Sequence, residues 1–254
     1  MRYLTVLAAG ACLAGTTALA APINATGNVN PDVIFGSGNA NGSFTGVSVN
    51  NIELALRGKV RYNLAGLPEN TFNYDGASTY TFDPAQSNAP ANRSAFNFEW
   101  SVNSDVSGNG GTNLIAYTYQ LAIDYDPTAA TSFTTFDPIN QPAADHAIGT
   151  NSTGNGGGTS NPLGYSSLIA NNNVAQNSWN LGFFNPVGFD PQTQGQYTIR
   201  LSAFGSNGAT LGSTSIDIIY GDVPSPVPLP ASLPLMLAGL AGVGFVTRRK
   251  RRAA

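Results

Sequence analysis

Residues 52–64 read IELALRGKVRYNL. Ile52, Leu54, Leu56, Val60, Tyr62 and Leu64 share one parity, and Glu53, Arg57, Lys59, Arg61 and Asn63 share the other. Successive side chains point to opposite faces of a strand, so a period of two held this long predicts one β-strand over 52–64 with a dry face and a wet face. Gly58 interrupts the apolar series and is the candidate for a β-bulge. The same alternation recurs downstream. Phe96, Phe98, Trp100 and Val102 alternate with Asn97, Glu99, Ser101 and Asn103; Tyr117, Tyr119, Leu121, Ile123 and Tyr125 alternate with Thr118, Gln120 and Asp124; Trp179, Leu181 and Phe183 make a shorter case.

Near the end of the body, a strand from Gly195 through Phe204 meets Ser206-Asn207-Gly208, and Thr214 to Tyr220 returns. Asn-Gly between two alternating runs is a strong short-range hairpin signal. The stretch from Asp190 to Tyr197, with a tyrosine just inside the strand, resembles the tyrosine corner of Ig-like sandwiches. Only Ser166 to Ala170 suggests a helical turn. Charged residues are 10% of the chain and glycine alone supplies 29 positions, a strand-and-turn composition. The expected fold is all-β: an antiparallel β-sandwich of Ig-like or jelly-roll type, one body at residues 21–222.

The ends read differently. Arg2, the apolar run Leu4 to Leu13, and Ala18-Leu19-Ala20 ahead of Ala21-Pro22 have the order of a secretory signal peptide, residues 1–20, cut between Ala20 and Ala21. Cys12 raises a lipoprotein alternative, but Ala9 stands where a lipid-modification box usually carries leucine. Cleavage after Ala20 leaves no cysteine, so disulfides, thiolate chemistry and cysteine-ligated zinc are excluded from the mature chain. The net charge of −3 hides an asymmetry: residues 21–222 hold Arg57, Lys59, Arg61, Arg93 and Arg200 against all fourteen carboxylates, a balance of −9. Phosphate contacts need clustered cations, which excludes nucleic acid as a partner.

Beyond the body, Pro224, Pro226, Pro228, Pro230 and Pro234 impose an extended spacer over 223–234. An apolar segment follows, with the core of a transmembrane helix at 235–247; counted from Leu229, its uncharged length suffices to span a bilayer. Arg248, Arg249, Lys250, Arg251 and Arg252 then form a membrane-stop cluster that stays cytoplasmic, within a basic tail at 248–254.

Val227-Pro228-Leu229-Pro230-Ala231, one short span and a terminal arginine cluster, in that order, closely resemble the PEP-CTERM protein-sorting signal in its VPLPA variant. The resemblance covers about residues 223–254. It implies recognition by exosortase, a membrane-embedded transpeptidase-like enzyme of Gram-negative bacteria, with cleavage near the proline motif. It also implies association with exopolysaccharide or biofilm matrix. Leu229-Pro230-Ala231-Ser232 begins like an LPxTG sortase signal, but Leu233 occupies the place of its glycine.

Within the body, Phe82-Asp83-Pro84, Tyr125-Asp126-Pro127, Phe136-Asp137-Pro138 and Phe189-Asp190-Pro191 repeat an aromatic-Asp-Pro triplet. Calcium is the ligand such carboxylates would take, with Asp124 beside Asp126; turn punctuation is the simpler reading, Asp opening the turn and Pro fixing φ. No cofactor is otherwise expected. His146, the single histidine, follows Asp145, but no nucleophile elbow accompanies the pair, and it reads as a loop histidine bonded to its neighbour. Gly154-Asn155-Gly156-Gly157-Gly158 lacks the lysine of a phosphate loop and reads as a mobile loop. Nothing selects a carboxylate pair for glycoside hydrolysis. Trp100 and Trp179 fall on core faces rather than on a sugar-stacking platform. The expectation is a non-enzymatic envelope or matrix protein. It is exported across the inner membrane, anchored before processing, then displayed at the cell surface or in the matrix, where it acts by adhesion or polysaccharide association. The alternative is a surface carbohydrate-active hydrolase or sugar-binding module.

Overall fold

The computed structural model describes residues 27–140 and 145–222. The expected signal segment with Ala20 and Ala21, the expected sorting motif Val227 to Ala231, the expected transmembrane core at 235–247 and the cluster Arg248 to Arg252 lie outside the described residues. Among the described residues, no helix is long and apolar enough to cross a membrane.

Among the described residues ten strands follow in chain order: β1 (Thr45–Val49), β2 (Ile52–Val60), β3 (Thr79–Phe82), β4 (Phe96–Asn103), β5 (Thr118–Asp124), β6 (Phe133–Phe136), β7 (Ala147–Gly149), β8 (Val174–Asn180), β9 (Gly195–Phe204) and β10 (Thr210–Tyr220). One sheet has the order β1-β2-β4-β8-β7 and the other β3-β10-β9-β5-β6. Neighbours are antiparallel except β3 and β10, which run parallel and make the second sheet mixed. The only α-helix among the described residues, α1 (Tyr165–Asn171), is short and sits where Ser166 to Ala170 predicted a turn.

One hydrophobic core draws on both sheets. Leu54, Leu56, Phe98, Trp100 and Val102 from the first meet Leu121, Ile123, Ile199, Leu201 and Ile218 from the second. Those from 54–56, 98–102 and 121–123 are the apolar parities read from sequence. Trp100 and Trp179 are both buried, and their rings meet edge-on at 5.4 Å.

The wet faces of β2 and β4 are a correction. Glu53, Arg57, Lys59, Asn97, Glu99, Ser101 and Asn103 are all buried. The segment preceding β1, residues 27–44, lies over this outer face as a strap. Val29, Val33 and Phe44 cluster with Ala55. Ile34 N donates to Gln176 Oε1 at 2.8 Å, and Gln176 Nε2 donates to Asp32 O at 2.8 Å. A sheet face that meets a second layer needs partners for its polar groups, and backbone carbonyls and amides of the strap supply them.

The predicted strand over 52–64 ends four residues early. Arg61 N and Tyr62 N both donate to Ala95 O, which breaks the ladder, and Asn63 Oδ1 then caps Ala65 N and Leu67 N, leaving Leu64 exposed. Gly58 is not a bulge: the β2–β4 register runs through it without a shift, and a Cβ there would stand 2.9 Å from Tyr80 Cβ and 2.9 Å from Phe82 Cε2. Its role is close approach of β3 to β2. The bulge lies instead between Thr210 and Gly212. The hairpin is as expected, with Gly208 at φ +75° and its N donating to Gly205 O at 2.9 Å. Tyr197, just inside β9, donates its hydroxyl to Thr193 O at 2.7 Å. Leu181 is buried past the end of β8, whereas Phe183 lies on the surface rather than in a strand.

Candidate functional site

The outer face of β2 and β4 carries a buried ionic cluster. Arg57 and Glu99 sit directly opposite each other in register, and Arg57 Nε donates to Glu99 Oε2 at 2.6 Å. Arg57 Nη1 donates to Ala40 O and Gly42 O of the strap at 2.8 and 2.7 Å. Its guanidinium lies between the rings of Phe44 and Phe72, 4.1 and 4.3 Å from their centroids, a doubled cation–π contact. Lys59 Nζ stands 3.9 Å from Glu99 Oε1 and donates to Asn39 Oδ1. Burial lowers the pKa of both Arg57 and Lys59, and the Glu99 charge opposes that in each case. A cleft of about 270 Å³ opens over the cluster, lined by Phe35, Asn39, Lys59, Arg61, Asn97 and Glu99 among others.

Glu53, farther along β2, accepts from Asn30 N at 2.7 Å. Burial raises its pKa to about 7, against the lowering effect of that hydrogen bond. The ionic cluster escaped sequence reading because Arg57, Lys59 and Glu99 all fell on parities assigned to solvent. The available signal was opposite charge at cross-strand positions, which only the register reveals.

His146 is not bonded chiefly to Asp145. Its ring is fully buried; Nε2 contacts Pro138 O at 2.5 Å and Nδ1 contacts Asn177 Nδ2 at 2.9 Å, whereas Asp145 Oδ1 is 3.6 Å away on a largely exposed side chain. Trp100 packs edge-on against the imidazole at 4.9 Å. Burial lowers the His146 pKa, while Pro138 and Asp145 pull it upward, and among the described residues no serine or threonine hydroxyl is one of its hydrogen-bond partners. It is a core residue.

The four Asp-Pro triplets adopt one geometry. Asp83 accepts from Ala85 N at 2.8 Å, Asp126 from Thr128 N at 2.9 Å, Asp137 from Ile139 N at 2.9 Å and Asp190 from Gln192 N at 2.9 Å. Each is an Asx turn with proline after the aspartate, the punctuation read from sequence. Among the described residues, no group of three acidic, histidine or cysteine side chains converges on a metal position.

The glycine-rich loop is anchored rather than mobile, a further correction. Gly156 N donates to Val33 O and Gly158 N to Ile34 O, at 3.0 and 2.8 Å. Gly156 has φ +67°, and a Cβ on it would meet Ser37 Cα at 2.6 Å. Glycine here lets the loop press against the strap.

Two further surfaces complete the picture. A cleft of about 250 Å³ holds Glu69 and Asp83, but Asp83 is committed to its turn and Glu69 accepts from Asn63 Nδ2 at 3.1 Å. Phe183 and Phe184 stand exposed beyond β8, with the Arg93 guanidinium 4.8 Å over the Phe183 ring. Phe184 holds φ +57°, a costly conformation for a bulky residue. No family model, curated protein or solved structure matches this chain.

Proposed function

We propose that this chain is an exported cell-envelope or matrix protein of a Gram-negative bacterium, carried by a VPLPA-type PEP-CTERM tail to exosortase and released to the surface or matrix. Its body serves as a non-enzymatic adhesive or exopolysaccharide-associated module. The observation that carries this reading is the order of parts in the sequence: signal segment, body, Val227 to Ala231, apolar span, Arg248 to Arg252. The body is read as an Ig-like or jelly-roll sandwich. The shared core of the two sheets and the Tyr197 to Thr193 hydrogen bond support it. A buried histidine and aspartates committed to turns support a module without chemistry. The test is topological. A reporter fused after Ala254 is expected to be active in the cytoplasm of exosortase-deficient cells while the body is reached by external protease after outer-membrane permeabilisation. A carboxyl-terminal reporter found outside the inner membrane contradicts the reading.

A sugar-binding module is the second reading. It is favoured by Phe183 and Phe184 beside Arg93 and by an adjoining cleft of about 390 Å³ lined by Asn92, Arg93, Asn185 and Asp190 among others. Exposed rings next to amide and carboxylate groups suit the apolar faces and hydroxyls of a sugar. Retardation of the body in polysaccharide-containing native gels, lost on Phe184→Ala, tests it.

A further inference from the structure

We propose that Lys59 and Asn39 are joined by an intramolecular isopeptide bond, formed by the chain itself with Glu99 as the proton relay. Three groups required for that reaction meet in one place, Lys59 and Glu99 buried and Asn39 half-buried at the mouth of the cleft. Lys59 supplies the amine and is buried on β2. Asn39, from the strap, supplies the carboxamide; its Oδ1 accepts from Lys59 Nζ, which puts the carbonyl carbon one bond beyond the contact. Glu99 supplies the carboxylate. Arg57 Nε holds its Oε2 at 2.6 Å, and Oε1 faces Lys59 Nζ at 3.9 Å. Burial lowers the Lys59 pKa, which favours the neutral amine that a nucleophile must be.

The step balances without any co-reactant. Lys59 Nζ adds to Asn39 Cγ and forms the C–N bond. Glu99 takes a proton from Nζ and delivers it to Asn39 Nδ2. The Cγ–Nδ2 bond breaks and ammonia leaves, so an amine and a carboxamide become a secondary amide and ammonia with no change in oxidation state. Asn39 Nδ2 donates to Phe35 O and Gly36 O at 2.8 and 3.0 Å, which fixes the plane of the amide before attack. The cleft over the cluster gives ammonia an exit. The bond would tie the strap to the first sheet, a covalent closure in a body without cysteine. It stands or falls independently of the sorting tail.

Mass spectrometry of the full chain purified from producing cells tests it. The expected result is a mass lower by one ammonia, and a protease digest containing one branched peptide that joins Asn39 to Lys59, with no tryptic cut after Lys59. Lys59→Arg is expected to restore the ammonia and give two linear peptides, and Glu99→Gln to leave most of the chain uncrosslinked. Intact linear peptides carrying Lys59 and Asn39 in the native chain would overturn the proposal. So would an ammonia loss mapped to a single linear peptide, as a succinimide at Asn41-Gly42 would give. Crosslinking of Glu99→Gln to the wild-type extent overturns the relay role. If a variant fails to fold, the native chain's digest alone decides.

Discussion

Arg57 on β2 and Glu99 on β4 face each other across the ladder with Nε and Oε2 2.6 Å apart, both buried beneath a strap that the chain lays down before its first strand. The pair explains how charges on a supposedly wet face come to lie inside the protein. Carbonyls of Ala40 and Gly42 accept from Nη1 and the rings of Phe44 and Phe72 flank the guanidinium, so the strap and the ion pair hold each other in place, although Nη2 is buried with no hydrogen-bond partner among the described residues.

Removing one partner strands the other charge. Glu99→Ala is expected to destabilise the body by about 3–5 kcal/mol, measured by denaturant unfolding. Arg57→Met combined with Glu99→Leu is expected to cost less than either single loss of charge, because an apolar pair of similar volume leaves no buried ion.

Gly58→Ala places a methyl group 2.9 Å from the Tyr80 and Phe82 side chains, where β3 crosses β2. Overpacking of that kind costs about 1–3 kcal/mol. A neutral or stabilising Gly58→Ala by thermal melting would contradict the close-approach role.

Trp100 packs in the core against both Trp179 and His146, which also contact each other. Trp100→Ala is expected to cost about 3–5 kcal/mol, the range for emptying a buried tryptophan site. A Trp100→Ala body as stable as wild type would contradict a core role.

Glu53 links stability to pH. Its carboxyl has an ordinary pKa of 4.5, raised to about 7 in the folded chain. The folded state therefore holds the proton more tightly; this contribution is complete below about pH 4.5, declines as pH rises, and is gone above about pH 7. The full swing is on the order of 3 kcal/mol. His146, with a lowered pKa, works the other way, weakening the fold as pH falls. The difference between wild-type and Glu53→Gln stability curves isolates the carboxyl, and a flat difference from pH 4 to 8 would contradict it.

What could be read from sequence was what local alternation encodes. Leu54, Leu56, Phe98, Trp100, Leu121 and Ile123 declared their faces by period, and the Asn207-Gly208 hairpin declared itself by contiguity. The parallel pairing of β3 with β10 was not legible, because Thr79–Phe82 is too short to show a period and its partner lies far along the chain. The strap was invisible for another reason. Its Asn and Gly residues bind through backbone and amide groups, with neither a helix nor a strand repeat, so nothing in its own pattern says that it covers Glu53, Arg57, Lys59 and Glu99. The candidate crosslinking site shared that fate: Lys59 and Glu99 read as solvent-facing, and Asn39 shows no period at all, until the register and the strap bring them together.

The most direct test of the export and sorting account is the carboxyl-terminal sequence of the mature protein, read by mass spectrometry from cells with and without exosortase. The account predicts that cells with the enzyme yield a chain ending near Val227 to Ala231, and that cells without it retain Arg248 to Arg252. Retention of the arginine cluster in both would contradict it.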